Sequence, residues 1–287
     1  MRIGVSISST HAERGPQLMI ERARVAYASG LASMTIGDHH NMGVPYAQNT
    51  PMLGRLLAEW PDRPAGCLFL APLWNPLLMA EQIGTLSAMH EGAFIVQAAI
   101  GWGADQFAAF GTTERTRAKV LEEAIPVVKR LLDGETVDSP FFQMVGGRVG
   151  LRSDRQIEWW VGAGVDSALE RAARLGDVWY ASPGNSVAAA SERLDHFRAH
   201  GGTRAAIRKD ALVLADGDRA RSTADAVIAS GYRGLDRSQL IIGDADDAAE
   251  QMAPFFELGF EEVVVRCISG PQEHALETLE LLGGLSS

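Results

Sequence analysis

The sequence predicts a (β/α)8 TIM barrel with an insertion before the fifth strand. Three observations predict it. Short, nearly continuous apolar runs alternate with longer amphipathic stretches along the whole chain. The runs lack the strict apolar/polar alternation of a half-exposed strand, so they suit a parallel sheet covered on both faces. The length, 287 residues, is near that of one such barrel, and no repeat, linker or low-complexity tract divides it. One domain over 1–287 follows, with a doubly wound sheet as the alternative architecture.

The strand candidates in order are 2–8 "RIGVSIS", 33–38 "SMTIGD", 66–72 "GCLFLAP", 93–101 "AFIVQAAIG", 157–164 "IEWWVGAG", 177–182 "DVWYAS", 210–216 "DALVLAD" and 261–269 "EEVVVRCIS". The helix candidates are 16–30, 75–89, 117–134, 165–177, 186–200, 244–259 and 271–284. The first opens on Pro16 and stops at Gly30, which is good punctuation for a helix. Residues 134–156 are polar and Gly-rich and read as an insertion or irregular hairpin. Residues 231–243 extend the seventh unit.

Composition narrows the function classes. Hydrophobic residues make up 46% and charged residues 22%, the profile of a globular protein. The net charge of −10, with only scattered Arg on the positive side, argues against a nucleic-acid partner. No apolar run is long enough to span a bilayer, and the N-terminus lacks a secretory apolar core, so a cytoplasmic protein with no membrane partner is expected. Cys67 and Cys267 lie far apart in apolar runs and read as buried thiols. His196 and His200 are four apart on a helix, but with no Glu partner in the familiar zinc-helix pattern they read as a solvated face, and no metal is assigned. Glu21, Arg22 and Arg24 read likewise as an exposed helix face.

In a barrel, chemistry collects at the C-terminal ends of the strands. "DHH" (38–40) ends strand two, "GWGADQ" (101–106) ends strand four and "GAGVDS" (162–167) ends strand five. Adjacent strand residues point to opposite faces, so only one of His39 and His40 faces the mouth, and a joint metal site is disfavoured. Gly162 and Gly164 allow close backbone approach, and the turn feeds a helix N-terminus that suits a phosphate, with Ser167 adding a hydroxyl. The same residues also fit a tight turn with Asp166 or Ser167 as the helix cap. Trp102 between two glycines is either a ring offered to a ligand or a lid on the core.

Taken in order, these segments resemble the luciferase-like flavin-dependent oxidoreductases, a (β/α)8 family with a bacterial luciferase type and a deazaflavin (coenzyme F-420) type. "DHH" resembles the acid–His end of the second strand. "LFLAPLWNPLLMAEQIGTLSAM" resembles the third strand and the "HP-x-x-x-A-x-x-x-x-T-L" helix. "GWGADQFAAFGTTERTRAKVLEEAI" resembles "G-x-G-W-x-x-x-E-x-x-x-x-G" with Arg117 and Glu123 at the spacing of its "R-x-x-x-x-x-E". "WWVGAGVDSALERAARLGDVWY" resembles the cofactor-phosphate strand and helix, and "IIGDADDAAEQMAPFFELGFEEVVVR" a late "G-[ST]-P-E-x-V-A" region. The departures are Gln106 where many members have Glu, Asn75 in place of His before Pro76, and no Pro in "GDADDAAE".

The resemblance implies His39 as the catalytic group. It implies cofactor contacts from Asp38, Ala71, Gly101, Trp102, Gly162, Ala163, Gly164, Val165 and Ser167, and a variable loop over the substrate at 134–156. The cofactor is FMN or coenzyme F-420. Reduced FMN with oxygen implies oxygen insertion into a small organic substrate and a flavin reductase as partner; a deazaflavin implies hydride transfer. The compact chain, the plain "GDHH" end and the Arg-over-Lys bias favour the deazaflavin type. A homodimer is expected.

Rival readings stay open. A flavin-binding barrel without catalysis fits Gln106 and Asn75. A phosphate-binding barrel of another class, a phosphosugar aldolase or isomerase, needs a Lys nucleophile or a Glu base at a strand end, and Lys119, Lys129 and Lys209 fall in helix or loop patterns, against a Schiff-base role. A metal hydrolase needs an H-x-H in strand one; "GVSISST" has none, and His11 stands alone.

Overall fold

The computed structural model describes residues 1–8, 14–268 and 270–286; His11, and Ser269 at the end of the eighth expected strand, lie outside the described residues. The strands are β1 (Ile3–Ile7), β2 (Met34–Ile36), β3 (Ala65–Leu70), β4 (Phe94–Ala99), β5 (Val137–Ser139), β6 (Met144–Gly147), β7 (Ile157–Ala163), β8 (Val178–Ala181), β9 (Arg204–Val213), β10 (Ile241–Gly243) and β11 (Glu262–Cys267). The helices are α1 (Gly15–Ala28), α2 (Asn49–Leu56), α3 (Pro76–Ala88), α4 (Ala104–Ala109), α5 (Arg117–Leu132), α6 (Asp166–Leu175), α7 (Val187–Ala199), α8 (Gly217–Ala229), α9 (Ala245–Leu258) and α10 (Gln272–Gly283).

Eight parallel strands close a barrel in the order β1-β2-β3-β4-β7-β8-β9-β11, and β11 returns to β1. The expected TIM fold is therefore present. The insertion before the fifth barrel strand holds an antiparallel hairpin, β5 with β6.

Several elements differ from expectation. The seventh barrel strand begins at Arg204, because the charged stretch Arg204–Asp210 belongs to it. The extension of the seventh unit forms a ninth strand, β10, which pairs with the end of β9 (Ile241 beside Ala211). Helices α2, α4 and α8 lie outside the expected helix segments: α2 is 8 residues long with a Pro in its first turn, α4 is 6 residues long, and α8 is rich in Ala and polar residues.

Strand alternation builds two cores. Trp159 faces the helices, under the Lys129 ammonium, while Trp160 faces the barrel axis beside Tyr180. The two adjacent tryptophans thus fill opposite faces of β7. The axial layer is Ile95, Trp160, Val178, Ala206 and Val264. Below it, buried Glu262 accepts from the Ser33 hydroxyl and from Arg2 Nε at 2.6 Å. Burial pushes the Glu262 carboxyl upward despite Arg2. A side chain at Gly4 would strike that carboxylate and the Ser33 hydroxyl, so the plug requires glycine there.

Two further expectations need correcting. Arg22 is buried: its guanidinium bonds Ser8 Oγ at 3.0 Å and Gln272 Oε1 at 2.9 Å, joining α1 to the end of β1 and to α10. Lys209 lies in strand β9, facing the helices, where its ammonium bonds the carbonyls of Pro183 (3.1 Å) and Asn185 (2.9 Å). Burial lowers its pKa to about 8. Both thiols are free and buried. Among the described residues, no helix is long and apolar enough to cross a membrane.

Candidate active site

The three residues of "DHH" separate into two tasks. Asp38 Oδ2 accepts the Leu70 N–H at 2.8 Å and the Trp74 indole N–H at 2.9 Å. Its Oδ1 lies 3.1 Å from His40 Nε2. The His40 ring packs 4.9 Å from that of Phe110 and 6.0 Å from that of Trp74. Asp38 and His40 therefore tie the end of β2 to the end of β3.

His39 lies three residues beyond the end of β2 and outside the Asp38–His40 contact. Its ring meets the Tyr46 ring edge-on at 6.0 Å. Burial lowers its pKa from 6.5, and the Asp38 charge only partly opposes this. A half-buried imidazole that is neutral at neutral pH can accept a proton or pass one on. Tyr46 is pushed up to about 12 by burial and stays a donor.

The end of β4 is held from two sides. Gln106, buried, accepts the His40 backbone N–H at 2.7 Å and donates to the Trp102 carbonyl at 3.0 Å. Arg117 donates to the Gly101 carbonyl at 3.1 Å and to Glu114 at 2.8 Å, and Glu114 accepts from the Gly103 N–H at 2.6 Å. Glu123, the other residue of the "R-x-x-x-x-x-E" motif, pairs with Lys119 on the surface. Gly101 and Gly103 have φ of +68° and +106°, which a side chain would strain. Between them the Trp102 ring stands 76% exposed. It is not a lid on the core; it is an aromatic face at the mouth.

After β7 the chain turns through Gly164 into α6. Gly164, Val165, Asp166 and Ser167 are all exposed. The cap position is Val165, in extended conformation, with no side-chain cap bond. The expected capping by Asp166 or Ser167 does not occur, because both already lie inside the helix. An uncapped helix start beside open space at Gly164 suits an anionic group, so these residues fit a phosphate-bearing cofactor.

The structure places the remaining expected contacts unevenly. Gly162 lies partly open at the end of β7, while Ala163 is buried and its carbonyl accepts the Trp179 indole N–H. Ala71 has no accessible surface: β3 ends in a tight turn over Ala71–Leu73, anchored through Asp38, which tucks it into the core. Ala71 is buried, and Asp38 holds the turn through the Leu70 and Trp74 N–H groups. Asn75 caps α3, accepting from the Leu77 N–H at 2.9 Å, so this departure from the family pattern has a structural use.

Sequence reasoning missed one cluster. Asp210, fully buried near the C-terminal end of β9, accepts the Tyr232 hydroxyl at 2.9 Å. Arg208 Nε lies 3.3 Å, Arg233 Nε 3.5 Å and Arg266 Nη1 4.0 Å from its carboxylate. Three positive charges thus surround one negative charge inside an acidic protein. The cluster is close enough to "DHH" that Tyr46 feels both Asp38 and Arg266. Arg208 and Asp210 share a face by their two-residue spacing, a signal hidden when the strand is started at 210.

The family pattern for luciferase-like monooxygenases matches residues 1–231. The chain belongs to that family. Among relatives of this luciferase-like chain is an F420-dependent glucose-6-phosphate dehydrogenase of Kribbella flavida, 24% identical over 68% of this chain and 61% of that one. Limonene 1,2-monooxygenase of Rhodococcus erythropolis is 32% identical over 38% of this chain and 28% of that protein. The chain therefore aligns with less than two thirds of the length of these relatives. A solved F420-dependent secondary alcohol dehydrogenase shares the fold at a TM-score of 0.81 and 16% identity, covering 99% of this chain and 97% of that one. The monooxygenase RslO1 of Streptomyces bottropensis does so at 0.82 and 19%, covering 99% and 98%.

Proposed function

We propose that this luciferase-like chain is an oxidoreductase that binds coenzyme F420, in preference to FMN, in the barrel mouth. On this reading it moves hydride at the carbonyl or alcohol carbon of a small anionic substrate. The observation that carries the proposal is the division of "DHH": Asp38 and His40 face each other at 3.1 Å between the ends of β2 and β3, while half-buried His39 stands outside that pair with its pKa lowered by burial. The names of several relatives, F420-dependent dehydrogenases, support the cofactor.

The cofactor, when bound, supplies the hydride equivalent. The first turn of α6, from Gly164 to Ser167, holds its phosphate, with Gly162 giving room beside it. The Gly101–Gly103 turn lets the backbone and the Trp102 ring approach the ring system. His39 gives a proton to the substrate oxygen in the reducing direction and takes it back in the oxidising one. Arg208, Arg233 and Arg266, with their excess of positive charge over Asp210, receive a carboxylate or phosphate of the substrate. The same reading carries a single domain over 1–287, a cytoplasmic homodimer and no nucleic-acid partner.

One second reading has support. The relative named limonene 1,2-monooxygenase favours oxygen insertion with reduced FMN, which would require a flavin reductase. Titrating cofactor-free protein with F420 and, separately, with FMN decides between them. Tight F420 binding with weak FMN binding upholds the proposal. The reverse establishes the second reading, and binding of neither removes both.

A further inference from the structure

The structure supplies the partner that the His196–His200 pair lacks in sequence. His196 lies in the last turn of α7 and His200 caps its C-terminus, with ring centroids 4.5 Å apart. Glu170, on the neighbouring α6, places Oε1 3.5 Å from His196 Nε2 and 3.8 Å from His200 Nε2. The three candidate donor atoms lie within 4.8 Å of one another.

Protonation prepares the site. His200 Nδ1 lies 2.9 Å from the His196 carbonyl, which can only accept, so Nδ1 carries the proton. In the neutral ring, Nε2 then holds its lone pair toward Glu170. His196 Nε2 is a buried atom with no hydrogen-bond partner. A ring nitrogen withdrawn from water beside a carboxylate and a second imidazole is a liability unless something binds there.

Geometry names the class of ligand. Zinc bonds of about 2.0–2.2 Å in a tetrahedron put neighbouring donors roughly 3.3–3.5 Å apart. The two nitrogen–carboxylate separations are already within half an ångström of that. The nitrogen–nitrogen edge closes by rotation of the exposed His200 side chain toward His196. Imidazole with one carboxylate selects zinc and its transition-metal neighbours over Mg2+ or Ca2+, which prefer all-oxygen sites.

We propose that Glu170, His196 and His200 form a surface site for a divalent transition cation, with zinc as the best fit and water completing the coordination. The cation staples α6 to α7. Glu170 stands one turn beyond the exposed start of α6, so the staple also steadies that helix end. The proposal is independent of any cofactor reading.

The test uses the full chain, stripped with chelator and titrated with Zn2+ against a chromophoric competitor. Co2+ serves as the spectroscopic probe. The expected result is one equivalent of zinc bound at low micromolar free metal, tetrahedral Co2+ bands and a raised melting temperature. Glu170→Gln and His200→Ala should each weaken binding by at least about tenfold, since even outer partners of a metal site are worth that much. Glu192→Gln, an exposed carboxylate on the same helix, should leave binding unchanged. Binding only at millimolar metal, no binding, or one-equivalent binding that survives both substitutions would overturn the site.

Discussion

Gln106 receives the backbone N–H of His40 at 2.7 Å, and this one bond joins the end of β2 to the loop after β4. The same side chain donates to the Trp102 carbonyl, so it must offer one acceptor and one donor. A carboxylate offers acceptors only. Gln106→Glu should therefore cost about 1–3 kcal/mol at pH 8 by setting an oxygen against the Trp102 carbonyl. The introduced carboxyl would be favoured protonated in the folded state, so its pKa would be raised there. Its cost should shrink as pH falls toward 5. Urea unfolding of both proteins at the two pH values checks this; an equal cost at both would mean the amide's donor role is idle.

His39→Asn should keep the fold and the cofactor affinity and lose turnover by about 10²–10⁴, the usual worth of a positioned proton-transfer group. The pH profile carries the sign. Burial holds the folded pKa below 6.5, so in alcohol oxidation the neutral base should persist until the pH drops below that value. The unfolded chain takes the proton first on acidification, so His39 also makes stability fall as pH drops below 6.5. Rates measured against pH, with an NMR titration of the ring, would show a midpoint below that of a free histidine. A midpoint above it would contradict the burial argument.

Arg266→Gln should raise KM for an anionic substrate by roughly 10–100-fold, the loss expected for a charge-assisted contact. The F420 dissociation constant and kcat at saturation should change little, because the group binds the part of the substrate away from the reacting carbon. A KM unchanged while melting temperature falls would assign the arginines to holding Asp210 alone.

Lys209→Met tests the buried ammonium on the helix side of β9. The folded pKa is lowered from 10.5 to about 8, so between those values the unfolded state binds more protons. Stability in the natural chain should rise as pH climbs through that window, by at most about 3 kcal/mol. The methionine variant should lack that rise. Paired unfolding curves from pH 7.5 to 10 read the difference directly.

The barrel was legible because strands buried on both faces leave continuous apolar runs, and seven of eight barrel strands were placed within a few residues on that signal. The seventh, β9, was started too late because it carries Arg208 and Asp210 on its inner face, so its charged first half looked like a loop. The same failure hid the arginine cluster, whose members come from β9, β11 and the turn at Arg233. Motif reading found "DHH" and the Gly162–Ser167 turn. The resemblance singled out His39, but the bonds that hold Asp38 and the His40 backbone depend on where Trp74 and Gln106 lie in space. Glu170 was out of reach for the same reason: helix-to-helix proximity has no local trace in sequence.

Val165→Asp separates folding from binding at the mouth. Val165 is the cap position of α6, extended and without a side-chain cap bond. An aspartate there can accept the first-turn N–H groups and should stabilise the cofactor-free protein by about 0.5–2 kcal/mol. If those N–H groups hold the cofactor phosphate, the same carboxylate competes for them and repels the anion. F420 affinity should then fall by tenfold or more while the melting temperature rises, about 1.4 kcal/mol of binding for each factor of ten. Opposite signs in the two measurements would place the phosphate at α6. A higher melting temperature with unchanged affinity would send the search for the phosphate to another strand end.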